Sequence, residues 1–325
     1  MRIVISGGAG FIGSHLADAC LARGHSVTAI DNLITGRMAN LAHLAREQHF
    51  RFVERDIVAE QPDIEGDLYF HLASPASPVG YGRHPIETML TNSAGTHRML
   101  ELARRDRAGF LLASTSEAYG DPEVHPQPET YWGNVNAIGP RACYDESKRY
   151  GEALTITYVR EFGLNARIVR IFNTYGPRTD PNDGRIVPNF ISQALRGEPI
   201  TVYGDGTQTR SYCYVADLVE GLLRAATKPG LAGELINLGN PLEYSAADFA
   251  HMIKRLSRSV SPVVQVEGRP EEIARRRPDI GKAKQLLDWE PQVGIEEGLL
   301  RTIEAFRRDF GLPLDDSAAR AIETA

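Results

Sequence analysis

Cysteine is scarce and scattered: Cys20, Cys143 and Cys213 are odd in number and far apart. This excludes a disulfide framework, and the spacing is not that of a metal site. A reducing cytoplasm is the simplest compartment for such a chain. Long apolar runs are missing too. No stretch reaches the roughly 18 residues of a membrane-spanning helix. Strand-like Ile3-Val4-Ile5 runs straight into glycines, where a signal peptide would carry a basic and then an apolar region. Positive charge is in deficit. With 36 Lys and Arg against 42 Asp and Glu, the net charge is -6. That argues against a nucleic-acid partner, which requires a clustered basic face. An anionic small ligand stays open, because a few local arginines suffice for one. No repeat or low-complexity stretch is present.

What is there is an alternation. Short apolar runs at 3–6, 27–30, 50–54, 68–72, 110–113 and 166–171 read as strands. Between them, 11–23, 85–105 and 144–162 carry a helical period. Such alternation predicts an α/β fold: a Rossmann-type doubly wound parallel sheet with right-handed crossovers. After Gly176-Pro177-Arg178 the segments shorten, at 189–195, 201–203, 216–226, 235–238 and 245–256, before a last amphipathic helix at 296–310. The expected plan is a dinucleotide-binding domain over 1–175 and a smaller C-terminal substrate-binding domain over 176–312, partly interleaved with it. A frayed tail is expected at 313–325.

Gly7-Gly8-Ala9-Gly10-Phe11-Ile12-Gly13 follows the first strand and opens a helix. Gly7 permits a tight turn, Gly10 lets backbone N–H groups approach a pyrophosphate, and Gly13 lets helix and strand pack closely. The helix N-terminus adds a partial positive charge for the anion. Asp31 ends the second strand close to 20 residues later, where a carboxylate accepts from adenosine ribose hydroxyls and repels a 2′-phosphate; this selects NAD over NADP. Asp56-Ile57 is placed to meet the adenine edge, or forms a solvated turn.

Tyr144-x-x-x-Lys148 opens a helix, and positions i and i+4 share one helical face. A nearby ammonium favours tyrosinate and is expected to lower the phenol pKa from its usual value of about 10. The pair would act as a general base on a sugar hydroxyl. The fifth strand ends in Ser114-Thr115-Ser116-Glu117, and ligands of doubly wound sheets bind at the carboxyl ends of strands. The hydroxyls there hold a reacting oxygen, or merely cap a helix. Plain alcohol oxidation does not need a carboxylate such as Glu117. Either a second proton transfer uses it, or it pairs with a nearby base.

Several long blocks identify the chain further. They are His71-Leu72-Ala73-Ser74-Pro75-Ala76-Ser77-Pro78, the run Leu111 to Pro122, and Tyr131-Trp132-Gly133 leading through Ile138-Gly139-Pro140-Arg141 to Cys143-Tyr144-Asp145-Glu146. Ile171 to Arg178 and Tyr203 to Arg210 complete the set. Together they resemble the UDP-glucuronate decarboxylases (UDP-xylose synthases) of the extended short-chain dehydrogenase superfamily, from Met1 to about Phe310. The resemblance implies C4 oxidation of UDP-glucuronate by NAD, loss of CO2 from the resulting β-keto acid, C5 protonation and C4 re-reduction to UDP-xylose. Tyr144, Thr115 and Ser116 would form the oxyanion site. Glu117 and Arg210 would orient the carboxylate and protonate C5.

The cofactor site is then expected to comprise Gly7, Gly10, Phe11, Ile12, Gly13, Asp31, Asn32, Thr35, Gly36, Asp56, Ile57, Leu72, Ser74, Thr91, Tyr144 and Lys148. Substrate would meet Asn173, Arg185, Tyr203, Gln208, Arg210 and the pair Arg276-x-x-Asp279. Without the family, Arg276 reads as part of a basic solvated run, and Tyr203 equally as a core tyrosine. A homodimer built on the helices at 85–105 and 144–162 is a further implication. The family usually carries Lys where this chain has Leu90. Its loss would weaken the hold on an anionic intermediate and allow UDP-4-keto-xylose to escape. The rival readings are a nucleotide-sugar 4-epimerase or 4,6-dehydratase, neither of which releases CO2, and an inactive NAD-binding scaffold, which would be expected to lose Tyr144 or Lys148.

Overall fold

The computed structural model describes residues 1–59, 62–268 and 275–313. Its first half runs β1 (Arg2–Ser6), α1 (Phe11–Ala22), β2 (Ser26–Asp31), β3 (Phe50–Glu54), β4 (Leu68–His71), α2 (Pro78–Arg83), α3 (Pro85–Leu90), a π-helical turn (Thr91–Gly95), α4 (Thr96–Asp106), β5 (Gly109–Thr115), α5 (Ala142–Phe162), β6 (Ala166–Ile171) and β7 (Thr174–Tyr175). The second half adds α6 (Ile186–Arg196), β8 (Ile200–Tyr203), β9 (Thr209–Ser211), β10 (Cys213–Tyr214), α7 (Val215–Thr227) and β11 (Leu235–Leu238). It ends with β12 (Glu243–Ser245), α8 (Ala246–Leu256), β13 (Val263–Val266), β14 (Arg275–Arg276), α9 (Gly281–Leu287) and α10 (Ile295–Asp309).

Seven strands form one sheet in the order β11-β6-β5-β4-β1-β2-β3. Every pairing in it is parallel. A parallel strand is covered on both faces, so its sequence is a continuous apolar run rather than an alternating one. Accordingly, all four residues of β4 are buried. The strand order reverses between β1 and β4, and a crevice opens there at the carboxyl ends. Strand β11 lies beyond residue 176, so the two halves of the chain share one sheet. Most of the second half instead forms small two- and three-stranded ladders, β8 with β13 and β9 between β12 and β14, beside that crevice.

Two differences from the periodicity are informative. The helix expected over 85–105 is interrupted by the π-helical turn at Thr91–Gly95. Thr96 Oγ1, at the start of α4, donates back to the Asn92 carbonyl of this turn at 2.7 Å, and such turns tend to accompany functional sites. Helix α2 was not expected at all. Ser77 caps it by accepting from Gly80 N, with Pro78 at its first position. It is too short for periodicity to reveal. The tail from residue 314 onward lies outside the described residues. No helix among the described residues is long and apolar enough to cross a membrane.

Candidate active site

The glycine loop is shaped by close approach. Gly7 sits at φ +78°, and a Cβ there would lie 2.7 Å from the backbone nitrogen of Ala73. A Cβ on Gly13 would run into the carbonyl oxygen of Gly7. Asp31 is anchored just beneath, accepting from Ala9 N at 3.0 Å and Leu33 N at 2.9 Å. Burial pushes its pKa up, against these two hydrogen bonds. Gly7, Gly10, Asp31, Asn32, Thr35, Gly36, Asp56, Ile57, Leu72, Ser74 and Thr91 all line one small cavity of about 70 Å³. The Asp31 carboxylate and the loop backbone ring this recess.

From there a larger cavity of about 300 Å³ runs along the strand ends. Gly7, Gly10, Phe11, Ile12, Gly13, Thr35, Leu72 and Ser74 form one end of its wall, and Thr115, Ser116, Glu117, Tyr144, Lys148, Asn173, Arg185, Arg210 and Arg276 form the other. The glycine loop and the Tyr-Lys pair thus face the same space, as a dinucleotide reaching from β1 to β5 requires.

Tyr144 is buried and stacks on Tyr81 of α2, with centroids 5.2 Å apart and planes at 13°. Lys148 Nζ lies 5.9 Å from the Tyr144 ring centroid and donates to the Ala113 carbonyl at 2.9 Å. The expectation of a lowered phenol pKa is not met in the protein by itself. Burial pushes Tyr144 up to about 12, with the Thr115 hydroxyl acting the other way. Burial equally pushes Lys148 down to about 7, opposed by Glu152. Low-dielectric surroundings disfavour both charged forms.

Glu117 does pair with nearby bases, one of its two expected readings: its carboxylate is gripped by Arg276 and Arg141. Arg276 is 3% exposed and also donates to the Gly120 carbonyl at 3.3 Å. It is therefore no solvated basic run, and burial lowers its pKa to about 10. Arg210 instead lies on β9, donates to the Thr209 carbonyl at 2.8 Å, and lines both this cavity and the next. Chain proximity could not reveal that Arg276, 159 residues from Glu117, reaches it.

The neighbouring cavity, about 500 Å³, shares Tyr81, Arg141, Asn173, Arg185 and Arg210 with the first and continues past Tyr203 and Gln208. Gln208 Nε2 donates to the Tyr203 carbonyl at 2.9 Å, bracing this wall. Arg185 is paired with Asp183 at 2.6 and 2.7 Å. Asp279 lines neither of these cavities: its carboxylate accepts from Gly281 N at 2.8 Å, turning the chain into α9. A short Asx turn satisfies it, which separates it from Arg276. Leu90 is 43% exposed and lines none of the three cavities. Tyr81 and Arg141 were missed as site residues. The Ser77-Pro78 helix start signalled the first, and the Gly139-Pro140-Arg141 approach to Tyr144 the second.

Residues 3–239 match the model of the NAD dependent epimerase/dehydratase family. The UDP-glucuronic acid decarboxylase 1 of Xenopus tropicalis is 53% identical over 309 residues, covering 95% of this chain and 73% of that one. The chain belongs to this family, among its UDP-glucuronic acid decarboxylases. UDP-glucuronic acid decarboxylase 3 of Arabidopsis thaliana is 50% identical over 314 residues, 96% of this chain and 91% of that one. Among solved structures, the UDP-glucuronic acid 4-epimerase of Bacillus cereus, in complex with UDP-glucuronic acid and NAD, superposes with a TM-score of 0.85 at 30% identity, covering 95% of this chain and 99% of that one. The decarboxylase family thus shares an α/β frame with epimerases.

Proposed function

We propose that this protein decarboxylates UDP-glucuronate, with NAD held along the β1–β4 crevice. Two findings support NAD. The Asp31 recess suits a ribose bearing free hydroxyls, and the glycine-loop backbone suits a pyrophosphate. When bound, NAD takes the hydride from sugar C4 and later returns it.

The chain's own groups do the rest. Tyr144 takes the proton of the C4 hydroxyl, with Thr115 hydrogen-bonded to the phenol and Lys148 beside it. The 4-keto acid so formed is a β-keto acid, and its carboxyl group leaves as CO2 because the electron pair passes into the C4 carbonyl. Tyr144, Thr115 and Ser116 then hydrogen-bond the enolate oxygen, charge stabilisation of the oxyanion-hole kind. Glu117, clamped by Arg276 and Arg141, lies on the same wall and orients the carboxylate end and the proton delivered to C5. Arg185 and Arg210, at the junction with the larger cavity, take the diphosphate, and Tyr203 and Gln208 the nucleoside.

The observation that carries this reading over an epimerase or dehydratase is the identity itself: 53% to a decarboxylase against 30% to an epimerase of the same frame. The test is to mix the purified protein with UDP-glucuronate and NAD and follow CO2 together with sugar-nucleotide masses. CO2 with UDP-xylose is expected; a UDP-hexuronate epimer without CO2 would overturn it. We also propose a homodimer. Ile86, Met89 and Leu90 on α3 and Tyr150 and Phe162 on α5 are exposed apolar side chains on packed neighbouring helices. Light scattering at the mass of a single chain would refute it. Three free thiols, two of them buried, fit a reducing cytoplasm.

A further inference from the structure

Behind the catalytic wall lies a buried ion pair that the mechanism above does not use. Glu152 follows Lys148 by one helical turn on α5. Arg170 on β6 grips its carboxylate with Nε at 2.8 Å and Nη2 at 2.7 Å. Ser114 Oγ on β5 donates to the same carboxylate at 2.5 Å, one residue beyond the Ala113 carbonyl that receives Lys148 Nζ. Their side chains are only 8% (Arg170) and 11% (Glu152) exposed. Arg170 stacks over Tyr119, 4.4 Å from its centroid, and Tyr119 is tied to Asn237 at 2.8 Å. The pair is therefore locked from three strands.

Lys148 needs a counter-charge here, since it is buried and donates to a neutral carbonyl. Glu152 acts on Lys148, Asp145, Arg185 and Tyr81 act on Tyr144, and His71 of β4 is held neutral by burial and by Lys148 itself. Glu152 is the carboxylate that favours the charged form of Lys148. We propose that Glu152, held in place by Arg170 and Ser114, is a positioning residue that keeps the Lys148 ammonium charged and so sets the pH at which Tyr144 accepts a proton. Tyr144, Lys148 and Glu152 occupy successive i, i+4 positions, so a single helical face carries base, cation and counter-ion. This rests on reading Tyr144 and Lys148 as the catalytic pair.

The experiment compares wild type, Glu152→Gln and Glu152→Asp. Glu152→Gln is expected to move the acid limb of the kcat/KM profile for CO2 release to higher pH by about one unit. Glu152→Asp, which keeps the charge, is expected to restore the wild-type limb. An unmoved limb in a folded Glu152→Gln protein overturns the proposal, as does an equal shift in both variants. In parallel, the Lys148 ammonium is titrated by NMR on lysine-labelled, NAD-bound wild type. A lysine already neutral well below pH 7 overturns it even if the Gln variant does not fold. Should wild type release no CO2, the functional reading fails, while the lysine titration still decides the role of Glu152.

Discussion

His71 offers the sharpest link between this fold and pH. It ends β4 at 1% exposure, with Nδ1 2.7 Å from Ser6 Oγ and Nε2 3.0 Å from Thr96 Oγ1. Thr96 already donates its hydroxyl proton to the Asn92 carbonyl. The ring must therefore donate from Nε2, and since burial keeps it neutral it accepts at Nδ1 from Ser6. Asn92 in turn donates to Ser74 and Ser147 at 3.1 and 3.0 Å, so this buried chain supports both the cofactor cavity and α5. Burial pushes His71 down to about 3 from 6.5. A depressed histidine favours the native state above the unfolded value and loses that advantage as pH falls, because the unfolded chain binds a proton that the native site refuses. Between pH 8 and pH 5 the loss comes to about 2 kcal/mol, or roughly 4 °C in Tm for a chain of this size. The assay is unfolding of wild type and His71→Gln across that range at fixed NAD concentration. Carboxylates, and His15, whose pKa burial also lowers, act in both proteins and cancel. The stability gap between them should shrink by about 2 kcal/mol on going to pH 5. A gap that does not change with pH would refute a neutral, water-free His71.

Tyr144→Phe should lower CO2 release by about 10² to 10⁴-fold while leaving NAD affinity, read by calorimetry, nearly intact. Gly13→Ala drives a Cβ into the backbone of Gly7; it should cost about 1–3 kcal/mol of stability and weaken NAD binding in the same titration. Arg276→Lys breaks the grip on Glu117 and should cut kcat by about 10²-fold, whereas Arg210→Lys should act mainly on KM for UDP-glucuronate; steady-state kinetics that reverse this order would contradict the placement of the two arginines. Leu90→Lys, at a position outside the cavities, should leave the ratio of UDP-xylose to borohydride-trapped UDP-4-keto-xylose unchanged.

Local features were legible along the chain because they are written at short range. Gly7 and Gly13 mark a turn that tolerates no Cβ, Asp31 stands at the end of its strand, and Tyr144 and Lys148 share a face through helical spacing alone. The apolar runs announced a parallel sheet because strands covered on both sides need no polar face. Tertiary structure decided what depends on elements far apart in sequence. Glu117 is paired with Arg276 as well as Arg141, because the short β14 runs parallel to β9 and delivers Arg276 to the strand ends. Asp279 was diverted by a turn of its own. Tyr144 and Lys148 are near neighbours by spacing, yet their pKa values move away from the charged forms, since burial by strands and helices from the whole chain sets the local dielectric. No one-dimensional pattern carries that quantity: it is a property of everything packed around a group.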